Sequence, residues 1–300
     1  MIARRFRLLA CLALLPAGPV SAQTAAPPPA PAEAAADPAL WVVRDADTTI
    51  YLFGTIHFMR PGTAWQSPKV AAALKASETL VLEIADPDNQ AAVAPLVQRY
   101  GLSPDRPLSS LLTPAEQARL GQAAAAMGRS AAQLDPMRPW LAGVMLSSAV
   151  ILRGGFDPAS GIDLALRRDA IAAGKPVLGL ESLADEMRML SNFPEEGQLG
   201  FLRKTLADFD VAPVELEKLV RAWRTGDAEA IDAISLAPLR ATPRVYQAVI
   251  VERNRRWAEE LRTMLAGKGH YFVAVGTMHL VGPDSVLRLL GPGVTVERVR

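Results

Sequence analysis

Two pentapeptides hold most of the chemistry that this chain announces. Phe53-Gly54-Thr55-Ile56-His57 and Val275-Gly276-Thr277-Met278-His279 are nearly the same phrase, and each follows an apolar run. The chain has only three histidines, His57, His270 and His279, and two of them close this phrase. Neutral imidazole is the commonest protein metal ligand and also titrates near neutral pH. Two converging imidazoles therefore read as a metal site or an acid–base pair, and carboxylates would complete either. Glu83, inside Leu80-Val81-Leu82-Glu83-Ile84-Ala85, is the best-placed acid. A buried, unpaired carboxylate costs several kcal/mol, so Glu83 must face the sheet edge, a cation, or both. Glu181 ends the apolar Val177–Leu180 run in a similar way. An acid at the start of the following helix is the plainer reading for it.

The elements that must position these residues are legible from periodicity and punctuation. Trp41–Val43 and Thr49–Phe53, separated by Asp45-Ala46-Asp47, predict a β-hairpin whose second strand runs into Gly54. Glycine there lets the chain turn sharply, so that the next side chains project over the sheet edge, where α/β folds bind ligands. Ser67-Pro68 opens a helix. Thr79–Ala85 predicts a short buried strand with Glu83 inside it. Thr113-Pro114-Ala115-Glu116 is a capping box. The run from Pro139 to Leu152 is apolar on nearly all sides and too short to span a bilayer, so it predicts a core helix. Helices are also expected after Gly161, across Pro213–Asp227 and from Thr242 to Gly269. A strand at His270–Gly276, a helix after Gly282 and a terminal strand follow. The expected class is α/β (mixed α+β): a central mixed sheet flanked by helices, with a mostly helical insertion from about residue 88 to 266. Two histidines from opposite ends of the chain share one site if their strands are neighbours.

The remaining residues set limits. Residues 1–22 have the layout of a secretory signal peptide, with Arg4, Arg5 and Arg7, an apolar stretch and a Val20-Ser21-Ala22 end. Leu8-Leu9-Ala10-Cys11 resembles a lipoprotein box, but the apolar stretch before Cys11 is far shorter than the roughly 7–15 residues of a signal. Cys11 is the only cysteine, so the mature chain has no disulfide and no thiolate ligand. Removing three arginines from 32 basic residues leaves 29 against 31 acids, a net charge of −2. Without a basic stripe, nucleic acid is excluded as a partner. Residues 23–37 form an Ala/Pro-rich tether, and residues 38–300 one domain. The expected location is the periplasm or the exterior. Asp163 reads as a helix-start residue or a site neighbour, with structure the preferred reading, His270 as solvent-facing, and Trp140, Trp223 and Trp257 as core.

The motifs together resemble the TraB/GumN family, to which the Tiki metalloproteases are related. The resemblance runs from the hairpin and its Gly-x-x-His through Leu80–Asp86, Gly161–Ser182 and Arg253-Asn254 to the second Gly-x-x-His. What it implies is a metal-dependent, hydrolase-like site acting on a peptide or other small substrate. The resemblance implies a divalent manganese, cobalt or zinc ion held by His57, His279 and a glutamate, Glu83 being the first candidate, and leaves open which glutamate binds and which acts as base. It makes Glu83, Glu181, Arg253 and Asn254 catalytic candidates, with Arg253 stabilising charge on oxygen. The alternative is a periplasmic binder of haem or polysaccharide without turnover, tested by a haem spectrum in His57→Ala.

Overall fold

The computed structural model describes residues 35–87 and 89–300. The expected signal at 1–22 and most of the tether lie outside the described residues. The tether's last residue is already fastened to the body. The Asp37 amide donates to the Arg224 carbonyl at 2.8 Å, and its carboxylate meets Lys69 at 2.7 Å.

Six strands form one mixed sheet. They are β1 (Leu40–Arg44), β2 (Thr48–Thr55), β3 (Thr79–Leu82), β4 (Val177–Gly179), β5 (Gly269–Gly276) and β6 (Val296–Arg298). Their spatial order is β4-β3-β5-β2-β1-β6. The first four in that order run parallel, and β1 is antiparallel to both of its neighbours. The hairpin turn forms as expected, with Asp45 Oδ1 accepting from the amides of Asp47 and Thr48. Period-two patterning sorts the side chains between two faces. Phe53, Leu80, Leu82, Phe272 and Ala274 fill one core, while Ile50, Leu52, Val81, Val273 and Val275 fill the other.

Helices α1 (Pro68–Ala76), α2 (Gln90–Leu96), α3 (Pro114–Ala126), α4 (Pro139–Arg153) and α5 (Ile162–Ala172) precede β4. Between β4 and β5 come α6 (Leu183–Ser191), α7 (Glu195–Ala207), α8 (Ala212–Arg224) and α9 (Arg253–Leu265). The Thr113–Glu116 capping box is present on α3. Helix α4 is buried on most sides and centres a third core with α3, α6 and α7. No helix among the described residues is long and apolar enough to cross a membrane. Trp140, Trp223 and Trp257 are all buried, and His270 is exposed.

Three local expectations need correction. Strand β3 ends at Leu82, so Glu83 is the first residue beyond it rather than a member. Its carboxylate binds polar groups at the sheet edge, which the ladder interior does not supply. The long helix from Thr242 is not uniform: a π-helical stretch, Gln247–Glu252, precedes α9. The wider turn resets the helix phase just before Arg253, and such turns are frequent at functional sites. The two motif glycines also act differently from expectation. Neither Gly54 nor Gly276 has positive φ. A Cβ on Gly54 would lie 2.7 Å from Thr277 Oγ1 and 3.0 Å from Thr277 Cα. The glycine is there for close approach of one motif to the other, not for an unusual backbone angle.

Candidate active site

Strand register brings the repeated phrases together. Strands β2 and β5 pair in parallel, with Gly54 opposite Val275 and Thr55 opposite Gly276. Both chains leave the sheet at its carboxyl edge, the usual ligand edge of parallel sheets. Strand β3 pairs with the other side of β5, which delivers Glu83 to the same edge. Strand β4 adds Glu181 two residues past its end. Helix α9 then brings Arg253 and Asn254 across the mouth.

Gly276 is the floor. Its amide donates to Glu83 Oε1 at 2.6 Å. A methyl added at Gly276 would sit 3.1 Å from Glu83 Oε1, 3.6 Å from His279 Cδ2 and 3.6 Å from His57 Nε2. The three expected ligand residues therefore surround one point. The absence of a side chain at Gly276 is what leaves that point open.

Each imidazole is held by its other nitrogen. Asn254 Nδ2 donates to the Asp284 carbonyl at 2.7 Å, which turns Oδ1 toward His279 Nδ1 at 2.6 Å. Nδ1 must then carry the proton, and Nε2 presents a lone pair. Arg253 Nη1 stands 3.3 Å from that Nε2. The His279 ring is buried and lies 4.5 Å from the Trp257 ring. Burial, joined by the charges of Arg253 and His57, pushes His279 down to about 3 against the pull of Glu83, so the ring is neutral. His57 donates from Nδ1 to Asp163 Oδ1 at 3.0 Å, leaving Nε2 toward Gly276. Burial works against the charged ring, but Asp163 outweighs it and His57 is pushed up to about 9. Its side chain keeps 35% exposure, so solvent screens part of that attraction. Orientation of a histidine through its second nitrogen is the usual support of a metal-binding imidazole.

Arg253 is the cation in the centre. Nη2 contacts Glu83 Oε2 at 2.6 Å and Glu181 Oε1 at 2.5 Å, and Nε reaches Glu181 Oε2 at 3.2 Å. Its charge stacks 4.6 Å over the Trp257 ring. Burial would raise Glu83, but Arg253, His279, His57 and the Gly276 amide hold it at about 2. Glu181 goes the other way: burial and the neighbouring Glu83 raise it despite Arg253. One guanidinium shared by two carboxylates leaves one of them undercompensated.

Sequence reasoning located His57, His279, Glu83, Glu181, Arg253 and Asn254, and the fold gathers all six. It left Asp163 between a helix-start residue and a site neighbour and favoured the first. Asp163 does lie in the first turn of α5, but it is buried and bonds His57. It missed Glu186 on α6, which interacts electrostatically with Arg253, Glu181, Glu83 and His57. Burial and the two nearby glutamates push Glu186 up to about 7. Its one signal was spacing, in the first turns of the helix that starts straight after Glu181.

For a metal ion, the donor types fit: two imidazoles beside a carboxylate suit a divalent cation once His57 gives up its proton. As placed, however, no group of three His, Asp or Glu among the described residues is gathered closely enough to hold an ion. His279 Nε2 is 3.9 Å from Glu83 Oε1, and the guanidinium of Arg253 contacts both residues.

The chain is 25% identical over 255 residues to the protein YbaP of Escherichia coli (strain K12), covering 84% of this chain and 92% of that one. YbaP of Shigella flexneri matches over the same shares. An uncharacterized protein of Treponema pallidum (strain Nichols) is 24% identical over 265 residues, 83% of this chain and 79% of that one. No solved structure matches. The family model described as TraB/PrgY/gumN matches residues 39–298, which contain every element from β1 to β6 and both Gly-x-x-His phrases, and the chain belongs to the TraB/PrgY/gumN family.

Proposed function

We propose that this protein is an exported, metal-dependent hydrolase acting on peptide-like bonds, with His57, His279 and Glu83 as ligands of a divalent ion. The observation that supports the reading is the pair of oriented imidazoles beside Glu83, His57 turning Nε2 and His279 its Cδ2 edge toward Gly276. Each ring is fixed by an Nδ1 partner, Asp163 or Asn254, and both rings flank Glu83 over Gly276. A purely structural strand cap would not need two oriented imidazoles facing a bare glycine. Export rests on the leader-like residues 1–22 and is read by the N-terminus of the protein recovered outside the cytoplasm, expected at Gln23.

A divalent ion held there would polarise a substrate carbonyl and lower the pKa of a bound water. The chain's own residues do the rest. Asp163 and Asn254 keep the two rings from rotating. Arg253 holds Glu83 and Glu181 in place, and on release from one of them its guanidinium can face a developing oxyanion. Glu186, coupled electrostatically to Arg253, Glu181, Glu83 and His57, adds a further carboxylate to the site.

The test is metal content of the purified protein after loading with manganese, cobalt or zinc, beside a His57→Ala/His279→Ala double variant. About one ion per parent chain and none in the variant is the expected result. A peptide-library digestion read by mass spectrometry then asks for cleavage that depends on the loaded ion. Equal metal in both proteins, or none in either, rejects the reading and makes a haem titration the next experiment.

A further inference from the structure

Away from the catalytic edge, the helical core contains a cavity of about 240 Å³. Val93 and Val97 form one wall, and Leu102, Met137, Leu141 and Met145 form the rest. No charged side chain lines it; the polar groups on its lining are the carboxamides of Gln98 and Gln133. Both of these glutamines are exposed, as is Ala94 beside them, so they mark the mouth.

Three observations separate this cavity from ordinary packing imperfection. First, its size exceeds the roughly 150 Å³ of an apolar cavity that stays dry and accepts a benzene ring. Second, its wall is irregular by construction. Helix α2 contains Pro95, and the chain continues as a π-helical stretch, Val97–Gly101. A regular helix would present a different set of side chains inward. Third, two methionines line it, and their unbranched, polarizable side chains adapt to guests of varied shape.

We propose that this cavity is a binding site for a small, uncharged, apolar molecule or chain, such as a medium-length alkyl group with a neutral polar end. The lining decides the charge class. A carboxylate or ammonium taken into it would lose hydration with no opposite charge to replace it, whereas a hydroxyl or amide at the mouth can hydrogen-bond the carboxamides. The site stands apart from the hydrolase reading and does not depend on it.

The experiment uses the neutral fluorophore N-phenyl-1-naphthylamine with the purified protein, without added metal. Saturable enhancement at one probe per chain is expected. Displacement should follow 1-octanol, with octanoate weaker by about tenfold or more. Ala94→Trp plugs the mouth from an exposed position and should weaken the probe by about tenfold or more; Gln98→Trp is the second plug should the first fail to fold. Gly200→Trp is the control. Gly200 lies in a separate groove beside Phe201 and Phe209, where an added side chain meets open space. That variant should bind as the parent does. Three results overturn the proposal: no saturable binding, plugged variants that bind like the parent, or loss of binding in Gly200→Trp. Octanoate as effective as octanol overturns the assignment to an uncharged guest.

Discussion

Glu83 offers a direct measurement of how strongly the site is held together. Its carboxyl falls from an ordinary 4.5 to about 2 in the folded protein. At about 1.36 kcal/mol per unit, that shift is worth ~3 kcal/mol at neutral pH. The group is lowered, so its contribution is complete above pH 4.5 and is lost as pH falls toward 2. Glu83→Gln keeps the shape and an acceptor for the Gly276 amide but cannot ionise. Urea unfolding of parent and variant at steps from pH 7 to pH 2 isolates the term, because groups remote from the site titrate alike in both. Trp257 is a built-in reporter, since its ring contacts both Arg253 and His279. The parent should be the more stable at pH 7, and the gap should narrow toward acid by at most ~3 kcal/mol. His279 titrates in the same window, from 6.5 to about 3. Losing Glu83 lowers it further, so His279 makes the variant the more acid-sensitive and offsets part of the narrowing. A gap that stays constant from pH 7 to pH 2 would refute the claim that the Glu83 charge is held by Arg253 and its neighbours.

Other expectations follow from the same geometry. Gly54→Ala forces a methyl against the Thr277 backbone, a kind of overpacking that costs about 1–3 kcal/mol and should appear as a lowered melting temperature. Leaving melting unchanged would mean that the two motifs are not in close contact. Asn254→Ala frees the His279 ring and should weaken divalent-ion affinity by about 10–100-fold, measured by calorimetry, if the ring is a ligand. His57 is raised, so its stabilisation is full below pH 6.5 and fades as pH rises through about 9. Asp163→Asn should reduce that alkaline loss, with Glu83 and Glu186 still facing the ring, and NMR titration should show its midpoint moving down.

Much of this was readable in the chain, and the limits have a physical pattern. Strand ends and helix caps were visible because they depend on neighbours in sequence: Thr113 on Glu116, Asp45 on Thr48. The histidines were visible because the motif is repeated and the residue is rare. Glu83 was flagged because an acid beside apolar residues needs an explanation. Its partner was not visible in the same way. Arg253 lies 170 positions away in a helix full of charge, and only the insertion of β5 between β2 and β3 brings the two together. Asp163 and Glu186 sit in helix first turns, where acids are common for reasons of the helix dipole. Nothing local distinguishes those that also face a site. The π-helical stretch before Arg253 left no trace in apolar spacing.

The strand order has a further consequence, for the history of each molecule rather than its chemistry. Strand β5 is made almost last, yet it occupies the middle of the sheet, between β3 and β2. A ribosome that has finished residue 265 has produced every helix from α1 to α9 and still no complete sheet. Until β5 arrives, the edges of β2 and β3 that it will cover are unpaired and flanked by apolar side chains, a liability for pairing with other chains. Contacts spanning most of the chain also form slowly. Assembly of the site is thereby postponed to the end of synthesis, and no N-terminal fragment can own it. Under the proposed export, such a delay would help a chain that crosses a membrane before folding: the part that would commit it to a compact shape is the part that emerges last.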